Sequence, residues 1–170
     1  DMAQFDGASK ELLDYQKASN ESANWTNSMF SGMPSYQIAF PQSNNIFNTI
    51  APPLTLWTRN FDAGIFFIMM LGFYVFMCSM GAKPLISAFS ALIYALGSYN
   101  VIIITVGHIT KAWAMAMIAP ILAGIILVFK RKYILGIIIF TLSLGLQIYF
   151  NHVQITYYTL IAVLILGFTY

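Results

Sequence analysis

Residues 63–80 read AGIFFIMMLGFYVFMCSM, 18 residues without a charge. An α-helix rises about 1.5 Å per residue, so roughly 20 such residues cross the ~30 Å hydrocarbon core of a bilayer. Four further apolar runs follow, at residues 85–106, 113–129, 133–150 and 156–170. None shows the in-out alternation over about ten residues that marks a barrel strand, so helices are expected. The last run has 15 residues. That is roughly 22 Å of helix, so it is expected to continue past residue 170.

The whole-chain composition agrees with those runs. Of 170 residues, 59% are hydrophobic and only 8% are charged, against about 25% charged in a soluble domain. A water-soluble globule is excluded. The net charge of +2 comes from dispersed bases, with no tract of the kind that binds nucleic acid. Cys78 is alone, which removes any disulfide framework or CxxC site within the chain. Residue 1 is Asp, no basic-then-apolar leader follows it, and the final run stops at Tyr170 without a polar flank. The chain is expected to be a piece of a longer membrane protein.

The few charges give the apolar part a direction. Residues 1–62 hold all six acids and three bases, a net −3, and make up a polar outer segment; residues 63–170 hold only Lys83, Lys111, Lys130, Arg131 and Lys132. Lys83 and the Lys130, Arg131, Lys132 group fall in two connections on one side of the bundle. The positive-inside rule makes that side cytoplasmic. The other side then receives the polar segment and the turns 107–112 and 151–155, which contain both histidines, His108 and His152. Two readings of these turns stand open: interfacial anchors that snorkel at helix ends, or parts of one site at the outer membrane surface.

Within the polar segment, residues 1–17 mix charges with Met2, Phe5, Leu12, Leu13 and Tyr15, as in an amphipathic surface helix. Residues 18–48 are rich in Asn and Ser and predict an ordered loop, because Trp25, Met29, Phe30, Met33, Tyr36 and Phe40 call for burial. Residues 46–57 are again amphipathic and are expected to be interrupted at Pro52 and Pro53. In the spans, Gln147 is expected to pair with Asn100 across helices.

Five motifs, DMAQ (1–4), WTNSMFSGMP (25–34), ALGSYN (95–100), GHITK (107–111) and NHVQITYY (151–158), resemble the YfhO-type bacterial membrane proteins, which belong with the polytopic glycosyltransferases of the GT-C fold. The resemblance covers essentially the whole chain. It implies an all-α polytopic membrane protein of the bacterial cytoplasmic (inner) membrane. The activity implied is inverting transfer of a sugar from a polyprenyl phosphate donor at the extracytoplasmic face. It also implies an acidic residue opening the first outer loop, as catalytic base or as a holder of a divalent cation where one is used. Asp1 is the matching position.

Such transfer needs a base for the acceptor hydroxyl and positive groups for the departing phosphate. Asp1 is the candidate base, with Asp6, Glu11 and Asp14 in reserve. Lys111, Thr110 and His108 are the candidates for the donor phosphate, at what is expected to be the start of a helix near Trp113. Asn151, His152 and Gln154 are candidates for sugar hydroxyls or a phosphate oxygen. A metal on His108, His152 and Asp1 lacks any ligand spacing within one element. Two alternatives compete, a transporter and a non-catalytic lipid-binding or assembly protein. Against transport, no Asp or Glu follows Asp62 and no Lys or Arg lies inside a run.

Overall fold

The computed structural model describes residues 2–21, 23–28, 30–37, 45–54 and 61–169, with side chains omitted at 2–6, 37 and 61. The apolar runs form helices, because only intrahelical hydrogen bonds satisfy the backbone of a segment with so few polar side chains. The chain divides into two compact units, residues 1–48 and 49–170, described separately here.

The first unit holds helix α1 (Met2–Ser19) and a hairpin of β1 (Trp25–Thr26) and β2 (Met33–Pro34), followed by a 3-10 turn (Ser35–Gln37). Its interior is small and polar: Ser9, Leu12, Thr26 and Ser35 are buried. Thr26 Oγ1 donates to Glu11 Oε2 at 2.6 Å, and Ser28 Oγ donates to the Ala8 carbonyl at 3.2 Å. These two bonds tie the hairpin to α1. The expected burial of the aromatics does not occur, since Trp25, Phe30 and Tyr36 are exposed; Met29 and Phe40 lie outside the described residues.

Helix α2 (Phe47–Leu54) runs through Pro52 and Pro53, where an interruption was expected. The two prolines occupy the last described turn, where their missing N–H groups leave the hydrogen bonds of the first turn in place.

In the second unit, α3 (Phe61–Met80) ends at Gly81, whose φ of 101° places it in the left-handed region that glycine tolerates. Pro84 then opens α4 (Pro84–Ala95) at a first-turn position where its missing N–H is harmless. The second apolar run is not one straight helix: α4 and α5 (Ser98–Thr105) are bent by 44°. Asn100 holds the bend. Its Nδ2 donates to the carbonyls of Tyr94 at 2.7 Å and Ala95 at 3.5 Å, two acceptors at the end of α4. The expected Asn100–Gln147 pair is therefore absent.

The third run is also divided, into α6 (Ile109–Ala116) and α7 (Ile118–Phe129), and it begins four residues before Trp113. Pro120 has no N–H to give the Ala116 carbonyl, which explains the break at Met117. Gly72 of α3 lies against this proline, and a Cβ there would approach Pro120 Cδ to 2.8 Å. Helices α8 (Tyr133–Tyr149) and α9 (Val153–Thr169) complete the unit. The expected last run therefore starts three residues earlier than 156.

Among the described residues two helices are long and apolar enough to cross a membrane, Asp62–Met80 and Ile109–Phe129, or three if the bent α4–α5 pair is counted as one span. At 17 residues each, α8 and α9 are shorter and sit at the lower limit of spanning length, about 17. Ile65, Met69, Ile121 and Ile126 form the core between α3 and α7. The Phe73 and Tyr94 rings stack at 4.3 Å to join α3 to α4.

Candidate functional site

The helices place the polar turns at opposite ends of the second unit. At one end, Lys130 of the α7–α8 turn reaches the α3–α4 turn, with Nζ 3.8 Å from where a Cβ on Gly81 would stand. At the other end, the start of α6 meets the α8–α9 corner. His108 is the N-cap residue of α6, and Thr110 and Lys111 belong to its first turn. Asn151, in the left-handed region at φ 54°, and His152 form the corner, and Gln154 lies in the first turn of α9 rather than in a loop.

A set of contacts beneath these turns holds them in register. The rings of Trp113 (α6) and Phe150 (at the end of α8) stack at 4.7 Å. Gln147, fully buried, donates from Nε2 to the Ala114 carbonyl at 2.9 Å and to Thr159 Oγ1 at 3.0 Å. Thr159 Oγ1 in turn donates a hydrogen bond to the Ile155 carbonyl at 2.8 Å. One amide thus ties α6, α8 and α9 together, and its Oε1 is buried without a hydrogen-bond partner among the described residues.

His152 is the most defined of the candidate side chains. The Ile155 backbone N–H donates to the His152 carbonyl at 3.1 Å and is shared with His152 Nδ1 at 3.4 Å, so the imidazole adds a side-chain cap to the start of α9. An accepting Nδ1 requires the neutral ring, with its proton on Nε2. Burial is the largest cause holding this imidazole below its ordinary value; a hydrogen bond with its own backbone opposes the shift, and the positive charges of Lys111 and His108 add to it. His108 and Lys111 stand at the start of α6, which packs against α9. Lys111 Nζ lies 5.6 Å from the centre of the Tyr99 ring, a cation–π contact across to α5. Gln154 Nε2 donates to Tyr158 Oη at 3.3 Å, on the exposed side of α9.

Beside the corner runs a groove of about 320 Å³, lined by Ile148, Asn151, His152, Val153, Thr156, Tyr157 and Leu160. It joins a hydrocarbon wall to the polar groups of Asn151, His152, Thr156 and Tyr157. His108, Thr110, Lys111, Asn151 and His152 are therefore gathered at one end of the unit, with Gln154 one turn along the exposed side. Asp1 lies outside the described residues, as does the side chain of Asp6. Glu11 is engaged by Thr26 and Asp14 is exposed, as a solvated helix face would have them. Among the described residues no group of three His, Cys, Asp or Glu side chains could hold a metal ion. The polar groups that this end of the unit presents are the Lys111 ammonium, the imidazoles of His108 and His152, and the first-turn N–H groups of α6.

Trp113, Phe150, Thr159 and Tyr99 were not marked as supports by the sequence. Gln147 stood out as an amide in an apolar run, but its partners depend on how three helices face one another. Comparison with protein-family models, with curated proteins and with solved structures gave no match.

The neutral N-cap predicts a pH effect. The folded-state value of His152 lies below the unfolded one, so the unfolded chain takes up the proton first. The stabilisation is then whole above about pH 6.5 and is lost as pH falls through the folded value. The wild-type melting temperature is expected to fall more between pH 7.5 and 5 than that of His152→Asn, which caps without titrating in this range. Equal pH slopes for the two proteins would contradict the neutral cap.

Proposed function

We propose that this chain forms part of a polytopic glycosyltransferase of the bacterial cytoplasmic membrane, moving a sugar from a polyprenyl phosphate donor to an acceptor at the extracytoplasmic face. The observation that carries this reading is the cluster of Lys111, His108 and His152 beside an apolar groove, at the end of the unit opposite the basic turns. A lipid phosphate combines one anionic group with a hydrocarbon chain, and these two features match it in kind. Large exposed apolar side chains on α4 and α8, such as Leu85, Ile93 and Ile134, support immersion in lipid. The four bases at the far end support a cytoplasmic placement of that end.

In the proposed reaction the acceptor oxygen forms a bond to the sugar C1 while the bond from C1 to the phosphate oxygen breaks. The acceptor proton goes to Asp1 and the electron pair leaves with the phosphate. Lys111 and the first-turn N–H groups of α6 stabilise the charge gained by the leaving phosphate. The neutral His152 offers Nε2–H as a further donor. Membrane lipids complete the environment.

The test uses the full-length protein in phospholipid vesicles with a radiolabelled polyprenyl phosphate sugar, reading transfer and the release of free polyprenyl phosphate. Wild type is expected to release it, and Asp1→Asn to slow release by about 10²–10⁴-fold, the range for a general base. Absence of release by wild type, or full activity in Asp1→Asn, would sink the reading.

A further inference from the structure

At its other end the second unit concentrates charge that nothing in its own sequence neutralises. Lys83, Lys130, Arg131 and Lys132 lie in two adjoining turns, and no Asp or Glu follows Asp62. Asp62 opens α3 while the basic turns sit at the helix's far end. At about 1.5 Å per residue the separation is roughly 27 Å, beyond a Debye length of about 8 Å at physiological salt. The counter-charge must come from outside the unit.

The α7–α8 turn leaves its cationic side chains available. Arg131 takes the left-handed region at φ 61°. The backbone N–H groups of Lys130, Arg131 and Lys132 are spent on the carbonyls of Ile126, Val128 and Leu127. All three side chains are exposed. The first turn of α8 opens directly after them, adding its N-terminal dipole to the same place.

Next to this turn lies an apolar groove of about 410 Å³ between α7, α8 and α9, lined by residues that include Val128, Ile137, Phe140, Leu164, Gly167 and Phe168. Val128 is two residues before Lys130 and Ile137 five after Lys132, so the groove's lining comes within about a turn of helix of the basic residues. Gly167 leaves it open, since a Cβ there would meet nothing within 4 Å.

We infer that this end binds an anionic phospholipid, with its headgroup phosphate on Lys130, Arg131 and Lys132 and an acyl chain in the groove between α7, α8 and α9. The inference rests on the membrane-embedded part of the proposed function and not on sugar transfer. Charge complementarity selects the occupant: an apolar protein segment would cover the groove but leave the cations unmatched, whereas an anionic lipid satisfies both at once.

The experiment takes delipidated full-length protein in mild detergent and titrates phosphatidylglycerol, phosphatidylcholine and glycerol phosphate, reading bound lipid by native mass spectrometry and the shift in melting temperature. Phosphatidylglycerol is expected to bind and raise the melting temperature, with phosphatidylcholine and glycerol phosphate far weaker. Replacing Lys130, Arg131 and Lys132 together by Gln is expected to weaken binding about 100-fold, from the usual contribution of each base near an anionic surface. Gly167→Leu, which fills the groove without touching the helix core, is expected to weaken phosphatidylglycerol at least tenfold with helicity unchanged. Equal binding of the two lipids, or of glycerol phosphate, overturns the site. So does retention of wild-type affinity by Gly167→Leu, which would reduce the effect to surface charge or leave the groove to a protein segment. Sugar transfer plays no part in these readouts, so failure here is separable from failure of the transferase reading.

Discussion

Gly136→Leu is expected to abolish the folded second unit, and Gly136→Ala to destabilise it by about 2–3 kcal/mol, at the upper end of the usual penalty for overpacking. Helices α7 and α8 cross with backbones in contact at Gly124 and Gly136. A Cβ on Gly136 would stand 2.7 Å from the Gly124 carbonyl oxygen and 2.8 Å from the Val128 nitrogen; one on Gly124 would stand 2.7 Å from the Phe140 nitrogen. These neighbours are backbone atoms of regular helices, which cannot swing aside as a side chain can. Relief requires the helices to part, and parting them opens contacts along the whole hairpin. Small residues at such crossings are what allow helices to approach where lipid supplies no hydrophobic drive. Thermal unfolding in detergent, with size-exclusion profiles, checks the expectation. Gly167→Ala is the control, because that position is open. Equal melting temperatures for Gly136→Ala and the control would show that the crossing is looser than described.

Lys111→Ala is expected to slow sugar release from the polyprenyl phosphate donor by about 10²–10³-fold, the usual loss for one donor to a developing anion. Helicity and melting temperature should change little, since the side chain is only partly buried and its one ring contact, to Tyr99, is of the weak exposed kind. Lys111→Arg keeps the charge and is expected to recover part of the rate. Tyr99→Phe keeps the ring face and should behave as wild type, whereas Tyr99→Ala lets the ammonium wander and should cost a smaller factor than Lys111→Ala. The group acts on charge that appears as the bond breaks, so the turnover rate should fall more than donor binding. Unchanged release by Lys111→Ala would remove this turn from the proposed reaction.

Much of the helical layout is legible without coordinates. Run length is a property of the chain in one dimension, and residues 63–80 stand as part of one helix for that reason. The breaks are less legible. Pro120 marks a place where a hydrogen bond must be lost, yet the 44° bend at Gly97 depends on Asn100 folding back onto the Tyr94 carbonyl. In the first unit the exposed Phe30 and Trp25 defeat the rule that large rings go inside, while Thr26 and Ser35 are buried.

The sequence alone determined that the apolar runs are helical and roughly where they lie, that the bases after Asp62 fall mostly in two short turns, and that both histidines lie in the others. Helix length and charge order follow from composition along the chain. Tertiary structure decided which helices touch: that Gly124 meets Gly136, that Gln147 bonds to Ala114 and Thr159, and that His152 lies close enough to Lys111 to feel its charge. Those pairings depend on the rotation of each helix about its axis. A helix apolar on every side carries almost no amphipathic stripe to set that rotation, so close packing and a few buried polar groups set it instead.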